Sequence, residues 1–207
     1  MRRYIAAVAL SLVMLSFACT QQRGKVLMLV NEAKSEDLEL MLTKEVGVMK
    51  DLLQKAGFEV VVATASMQPL AAGSAKLNPD LKLSDVKVAD YKGVIMPCMA
   101  TSANSLPPEG SAIIKEAVAK KKPLAAQTGS VMLLAQAGVL TGKKYALAKG
   151  WPAIEGAIYN GDGIVQDGKI ITSGVCPYMA KSQAMQAQGM QDGTSKLTEA
   201  LIAELKK

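Results

Sequence analysis

The residues of this chain that are best placed to do chemistry lie in a predicted strand–turn–helix segment at 123–140. Its sequence, PLAAQTGSVMLLAQAGVL, predicts a short buried strand, a bend at Thr128 and Gly129, and a helix that begins directly after the bend. Such a helix directs free N–H groups into the crevice beyond the strand ends, which makes a natural site for an anion or an oxyanion. From periodicity alone, a plain strand-to-helix connection fits the segment equally well.

The bend presents a threonine, and the sequence supplies no obvious group to activate it. A threonine hydroxyl becomes a nucleophile only beside a well-placed base, and the chain contains no histidine. Glu36 and Cys98 each follow a predicted strand, so both can face the same crevice as Thr128. Glu36 is equally explained as a solvated carboxylate in the first turn of a helix, where the helix dipole favours it.

Strands and helices alternate along most of the chain, and this order predicts the frame that positions these residues. Strands are predicted at 25–30, 58–63, 93–97 and 124–126 with a hairpin at 158–173, and helices at 36–56, 107–121, after the bend, and at 194–207. Alternation of this kind implies an α/β fold whose mostly parallel sheet has helices on both faces. Because neither a second domain nor an internal repeat is visible, residues 25–207 are assigned to one domain.

The first 18 residues read as a signal peptide that is separate from the folded domain. Two arginines precede an apolar run at 5–15, which is too short for a typical membrane-spanning helix. The Ser16-Phe17-Ala18 pattern suits ordinary signal peptidase, whereas the following Cys19 resembles the cysteine of a bacterial lipobox, which is lipidated and becomes the new N-terminus. We favour a membrane-anchored lipoprotein of the exported bacterial cell envelope, with residues 19–24 as a tether; a soluble periplasmic protein is the alternative.

Charge and residue distribution argue against a nucleic-acid-binding protein. The formal net charge is +6, and it falls to +4 when the signal peptide leaves with its two arginines and no acids. The lysines are spread over predicted helix faces and are not gathered into a stripe with interleaved aromatic residues. This distribution is typical of a solvated surface near a membrane.

Several segments, in chain order, resemble the motifs of one known superfamily. SEDLEL at 35–40 resembles F-E-D-x-E-L, and DYKGVIMP at 90–97 resembles D-Y-D-A-L-V-L-P. Residues 123–135 align without gaps on P-V-A-A-I-C-H-G-P-x-L-L-A, and two later segments, at 137–144 and 167–173, match A-G-L-L-x-G-K and D-G-x-x-I-T-S. Together they make the chain similar to the DJ-1/PfpI superfamily, which is related to class I glutamine amidotransferases. The resemblance implies a three-layer α/β sandwich with a flavodoxin-like sheet, and a homodimer.

The resemblance also implies which residues stand at the active-site positions of the family. Thr128 occupies the place of the nucleophilic cysteine, Gly129 that of a histidine that often follows it, and Glu36 that of an acid. The P-G-G turn of the family, whose backbone contributes to the oxyanion site, is Pro97-Cys98-Met99 here. We therefore expect no protease, deglycase or glyoxalase activity of the family kind, but a noncatalytic or repurposed pocket formed by Glu36, Cys98, Met99, Thr128 and Gly129.

An insertion relative to the family pattern lies at about 175–192, and it brings another cysteine toward the pocket. Because it leaves from the loop that borders the family pocket, we expect it to form a lid over the crevice or a dimer contact. If its beginning follows the family loop, Cys176 can approach Cys98 and form a disulfide, which persists in an oxidising compartment. Two buried, inert thiols are the alternative.

Three functions remain open at this point. The first is an exported module that binds a small ligand or a protein, with no cofactor. The second is a thiol-dependent hydrolase or aldehyde-processing enzyme with Cys98 as its nucleophile. The third is Cu(I) binding by sulfur atoms, although methionines at such positions more often fill a core; the candidate ligands are Cys98, Met99, Cys176 and Met179. A Cys/His metal site is excluded because the chain has no histidine and its cysteine spacing matches no zinc motif.

Overall fold

The computed structural model describes residues 23–101 and 105–207, which are built around one large β-sheet. The described strands are β1 (Lys25–Leu29), β2 (Glu59–Thr64), β3 (Leu70–Ala72), β4 (Ala75–Leu77), β5 (Leu81–Lys82), β6 (Tyr91–Met96), β7 (Leu124–Gln127), β8 (Lys144–Tyr145), β9 (Ile158–Tyr159), β10 (Ile164–Asp167) and β11 (Ile170–Ser173). The described helices are α1 (Leu38–Leu40), which continues through a π-helical segment (Met41–Val46) into α2 (Gly47–Lys55), then α3 (Pro108–Ala119), α4 (Gly129–Gln136), α5 (Pro177–Ala180), α6 (Gln183–Ala187) and α7 (Thr194–Leu205). The predicted signal peptide, the lipidation site at Cys19 and most of the tether lie outside the described residues.

The large sheet has the strand order β10-β11-β7-β6-β1-β2-β5, and its neighbouring strands are parallel except for the β10–β11 hairpin. The prediction of an α/β fold with a mostly parallel, flavodoxin-like sheet is therefore confirmed. The predicted hairpin at 158–173 is too long, because its antiparallel pairing covers only 164–173. Gly161, with φ of 102°, turns the chain before that point, and β9 pairs with β8 in a separate two-stranded sheet.

Alternating side chains of the buried strands build a core on each face of the sheet. Val26 and Met28 of β1 pack into an apolar cluster with residues of α2 and α7, whereas Leu27 and Leu29 pack into a second cluster with residues of α3 and α4. Successive side chains of a strand point to opposite faces, so an apolar run without polar alternation requires cover on both sides. The result is a three-layer sandwich.

The parallel strands direct three loops to the same edge of the sheet. Pro97 follows β6, Thr128 follows β7, and Gly174 follows β11, all at the carboxyl ends of these strands. Ligands of open α/β sheets bind in the crevice beyond this edge. In the part of the chain that the structure describes, no helix is long and apolar enough to cross a membrane.

The close packing of β6 against its neighbours gives a test of the fold. A Cβ added at Gly93 would lie 2.8 Å from Leu205 Cδ2 and 2.8 Å from the backbone oxygen of Pro123. Because the strand backbone must shift to accept it, we expect Gly93→Ala to lower the free energy of unfolding by about 1–3 kcal/mol in urea denaturation. The matched control is Gly163→Ala, whose added Cβ meets nothing within 4 Å and should change stability by less than about 0.5 kcal/mol. Equal effects of the two substitutions would contradict the packing.

Candidate functional site

The elbow between β7 and α4 has the strained geometry of a functional turn. Thr128 has φ of 44° and ψ of −102°, a conformation that is sparsely populated for a β-branched residue. Its N–H donates to the Ser173 backbone oxygen at 2.7 Å, and the Ser130 hydroxyl donates to the Pro97 backbone oxygen at 2.7 Å. The elbow is therefore tied to the ends of both neighbouring strands.

The Thr128 hydroxyl is buried away from solvent. Thr128 is 0% exposed, and its Oγ1 has no hydrogen-bond partner among the described residues. Glu36, which occupies the acid position of the family, does not reach it: the Glu36 side chain is exposed, and its backbone N–H donates to the Ala100 backbone oxygen at 2.9 Å. The structure thus separates Glu36 from the other residues of the predicted pocket.

A different acid, Glu45 of the π-helical segment, enters the site. Its Oε1 accepts the Cys98 N–H at 2.8 Å, and its Oε2 accepts the Met99 N–H at 2.9 Å. The side chain is 0% exposed. Burial raises the pKa of the Glu45 carboxyl well above its usual 4.5, helped by the nearby Cys176 and Asp192 and opposed by the two N–H donors.

The turn whose N–H groups donate to Glu45 contains two residues with a left-handed backbone conformation, and neither of them is glycine. Met99 has φ of 58° and Ala100 has φ of 46°, both in a region that is costly for residues with a side chain. The two hydrogen bonds from consecutive N–H groups to one buried carboxyl explain how the turn persists. Met99 is buried beside it and fills the core.

The two cysteines of the described domain lie beside each other as separate thiols. Hydrogen bonding between the two thiols is the largest influence on the pKa of each. It raises the pKa of Cys98, and burial and the charge of Cys176 act in the same direction. It lowers the pKa of Cys176, assisted by the Met179 and Tyr178 N–H groups and the nearby Thr128 hydroxyl and opposed by burial. Cys98 Sγ also accepts the Gly129 N–H at 3.4 Å. The predicted disulfide stays a prediction.

The insertion at 175–192 packs over this site. Tyr178 and Met179 of α5 contact the same apolar cluster that contains Cys98 and Met99. Lys181 forms an ion pair with Asp37 at 2.7 Å, which connects the insertion to the start of α1. Within the described ranges, no group of three or more Cys, Asp or Glu side chains is arranged to hold a metal ion.

An open cavity of about 290 Å³ is formed by the loop between β8 and β9. It is lined mainly by apolar and aromatic side chains, among them Tyr145, Trp151 and Tyr159, together with Lys149. Its loop packs against the end of β11, since a Cβ at Gly174 would lie 2.6 Å from the Leu147 backbone carbon. The sequence analysis did not single out this cavity.

Comparison with known proteins places this arrangement in a family. The DJ-1/PfpI family model matches residues 24–182. The chain belongs to the DJ-1/PfpI family. An uncharacterized protein of Archaeoglobus fulgidus is 30% identical over 154 residues, covering 70% of this chain and 86% of that protein. An uncharacterized protein of Methanocaldococcus jannaschii is 28% identical over 186 residues, covering 82% of this chain and 88% of that protein.

Solved structures of the family share the fold. A ThiJ/PfpI domain protein of Brachyspira murdochii matches with a TM-score of 0.67 at 15% identity, covering 88% of this chain and 96% of that one. DJ-1beta of Drosophila melanogaster matches with a TM-score of 0.57 at 19% identity, covering 88% and 95%. A two-domain protein of Anabaena variabilis with DJ-1/ThiJ/PfpI-like and ferritin-like domains matches with a TM-score of 0.60 at 23% identity, covering 86% of this chain and 54% of that one.

Sequence reasoning about this family member missed Glu45, although a signal was present. Glu45 lies on the apolar face of the predicted 36–56 helix, three residues after Leu42 and four before Met49. An acid in that position is buried together with its neighbours unless the helix face turns away from the core. The irregular loop after Gly150 carries no comparable pattern, so the cavity around Trp151 depends on tertiary packing.

The buried Glu45 carboxyl predicts an unusual pH dependence of stability. Because its folded-state pKa is raised, the folded chain keeps a proton that the unfolded chain loses, so the free energy of unfolding should fall as pH rises from about 5 to about 7. The chain has no histidine to obscure this window. In Glu45→Gln the slope should vanish, and at about pH 5 the variant should be about 1–3 kcal/mol less stable, because an amide nitrogen cannot accept the second N–H.

Glu204→Gln is the matched control for this titration. Hydrogen bonds from Lys169 and Lys207 lower the pKa of Glu204 to about 2, so this carboxylate contributes stability that is lost only as pH falls below its unfolded value. Urea denaturation between about pH 5 and about pH 7 should therefore give the same slope in Glu204→Gln as in the wild type. A flat wild-type profile in that window would contradict the raised pKa of Glu45.

Proposed function

We propose that this protein is an exported, lipid-anchored DJ-1/PfpI family member whose elbow does not catalyse and which binds a small ligand. One observation supports an elbow that does not catalyse: the N–H groups around the elbow already donate hydrogen bonds to other groups of the protein. The Gly129 N–H donates to Cys98 Sγ, and those of Cys98 and Met99 donate to Glu45. An oxyanion site needs such donors aimed at a reacting atom, and here they are already used.

The groups that would supply a nucleophile support the same proposal. The Thr128 hydroxyl is fully buried, and no histidine exists to take its proton. The alternative of a hydrolase or aldehyde-processing enzyme with Cys98 as nucleophile is disfavoured, because the raised pKa of this thiol keeps it protonated. Cu(I) binding is disfavoured as well, since two thiolates and one cation would leave a net negative charge in an apolar cluster.

The cavity around Trp151 supplies the binding part of the proposal. A concave apolar site with few polar groups is the usual form of a small-molecule pocket. Tyr145, Trp151 and Tyr159 offer ring faces and edges, and Lys149 offers a positive charge at the mouth. The ligand chemistry that fits is a small aromatic or apolar molecule with one acidic group.

A pair of dyes that differ in charge tests this site. The anionic dye 1-anilinonaphthalene-8-sulfonate should bind saturably and quench Trp151, which is the single tryptophan of the chain. Lys149→Gln should weaken it about three- to tenfold, as expected for the loss of one partly exposed charge. The uncharged N-phenyl-1-naphthylamine should bind both proteins equally, and the protein should turn over neither peptides nor aldehydes.

Lys34→Gln controls for net charge, because Lys34 is exposed and does not line the cavity. Its dye affinity should equal that of the wild type. If Lys34→Gln and Lys149→Gln weaken the anionic dye alike, or if Trp151 fluorescence does not respond, the cavity is not the binding site. Peptide or aldehyde turnover that is lost on substitution of Thr128 would overturn the noncatalytic elbow.

Export, lipid anchoring and a homodimer belong to the same proposal. The support for export is the arginine-led apolar run before Ser16-Phe17-Ala18-Cys19. The support for a homodimer is the family resemblance, together with Ile158 and Tyr159, which are exposed large hydrophobic side chains of the described chain at 51% and 48%.

Cleavage before Cys19 and lipidation of its sulfur can be measured on the mature protein. In a bacterial host, the full-length chain should fractionate with membranes, and mass spectrometry should place Cys19 at the N-terminus with a diacylglyceryl group on its sulfur. Cys19→Ala should release the protein from the membrane fraction, because lipid chains provide the hydrophobic anchor. A soluble wild-type protein that begins at an unmodified Cys19 would contradict the anchor while leaving export intact.

A further inference from the structure

We propose that Cys98 and Cys176 form a peroxide-sensitive dithiol, in which the Cys176 thiolate attacks the peroxide and Cys98 then closes a disulfide. The two side chains lie beside each other in one apolar cluster, under the insertion and next to the elbow. They come from different parts of the chain, since Cys98 follows β6 and Cys176 begins the insertion. This inference is independent of the binding cavity and of the lipid anchor.

The surroundings of Cys176 are arranged for a thiolate. The Thr128 hydroxyl is buried without a partner among the described residues, and an ionised Cys176 gives it an acceptor. The backbone N–H groups of Met179 and Tyr178 and the Cys98 thiol also donate toward this sulfur. These donors lower the pKa of Cys176, and the thiolate is the reactive form of cysteine.

Cys98 is held in the complementary role of a protonated thiol. Its neighbours Cys176 and Glu45 both disfavour its ionisation, and the Gly129 N–H only partly offsets this effect. Glu45 is an acid whose charge acts on Cys98, and because its own pKa is raised, that charge develops only above the usual pH range of a carboxyl. One thiolate beside one thiol is the combination that a resolving reaction requires.

Because both cysteines are buried, only a small oxidant can reach their sulfur atoms. Cys176 is 0% exposed and Cys98 is 6% exposed, so a protein disulfide cannot reach either sulfur. Hydrogen peroxide needs only a brief opening of the insertion. The ion pair between Lys181 and Asp37 that connects the insertion to α1 is partly exposed on both sides, and such pairs open readily.

The reaction balances without any cofactor. The Cys176 thiolate attacks one peroxide oxygen, the O–O bond breaks, and the departing hydroxide takes a proton to become water, which leaves a sulfenic acid on Cys176. The Cys98 sulfur then attacks the Cys176 sulfur, the S–O bond breaks, and the Cys98 proton leaves with the hydroxyl as a second water. Overall, two thiols are oxidised to one disulfide and one peroxide is reduced to two waters. The disulfide ties the insertion to the end of β6.

Mass spectrometry of the reduced, full-length mature protein tests the proposal. Treatment with equimolar hydrogen peroxide should remove the mass of two hydrogen atoms, and peptide mapping without reductant should join the peptides that contain Cys98 and Cys176. In Cys98→Ser, dimedone should label Cys176 as the sulfenic acid. The oxidation rate should rise with pH and reach its plateau below the pKa of an ordinary thiol, because the thiolate fraction of Cys176 saturates early.

Two variants separate chemistry from folding. Cys176→Ser should slow oxidation of Cys98 at least about tenfold, since an unassisted thiol is only a few per cent ionised at neutral pH. Thr128→Val should shift the rate–pH profile of oxidation to higher pH, because the two cysteines remain and only the threonine hydroxyl is lost. The control is Thr198→Val, which should leave the profile unchanged; Thr198 is also buried, and its hydroxyl donates to the Thr194 backbone oxygen.

Three results would each overturn the proposal: sulfenic acid that forms first on Cys98, a disulfide that includes Cys19, or a wild-type protein that keeps both thiols in excess peroxide.

Discussion

The buried carboxyl of Glu45 holds the turn after β6 in place, and most of the site depends on that turn. By accepting the N–H groups of Cys98 and Met99, it stabilises a backbone that these residues would otherwise avoid. The position of the turn brings the Cys98 sulfur to the N–H of Gly129, the first residue of α4. One carboxyl thus determines where a sulfur atom lies and which backbone donors remain available to a substrate.

Two strained turns meet at this edge of the sheet, and the core on each side maintains them. Thr128 and the Met99–Ala100 turn both have positive φ, and each such residue costs on the order of 1–3 kcal/mol. The hydrogen bond from Ser130 to the Pro97 backbone oxygen joins the two turns directly. Because apolar clusters cover both faces of the strands, the turns cannot relax without exposing buried side chains.

Local patterns predicted the fold well and the site unevenly. The strand, bend and helix around Thr128 were readable because glycine, apolar runs and helix periodicity act over a few residues. The motif pointed to Glu36, which is exposed, and the acid that the structure buries in the site is Glu45. The nearness of Cys98 and Cys176 was expected only from a family resemblance, since they are 78 positions apart in the sequence (176 minus 98). Nothing local marked the cavity around Trp151.

The sequence by itself determined the alternating α/β order through short-range periodicity and the absence of histidine through composition, and its resemblance to known motifs pointed to the family. Only the tertiary structure decided which acid is buried, in which direction the pKa of each thiol is shifted and which backbone donors are already occupied. Those properties arise from desolvation and from hydrogen bonds between segments that are distant in the chain. A pattern along one segment carries no information about the partners that another segment brings to it, and in this protein the chemistry of the site lies in those partners.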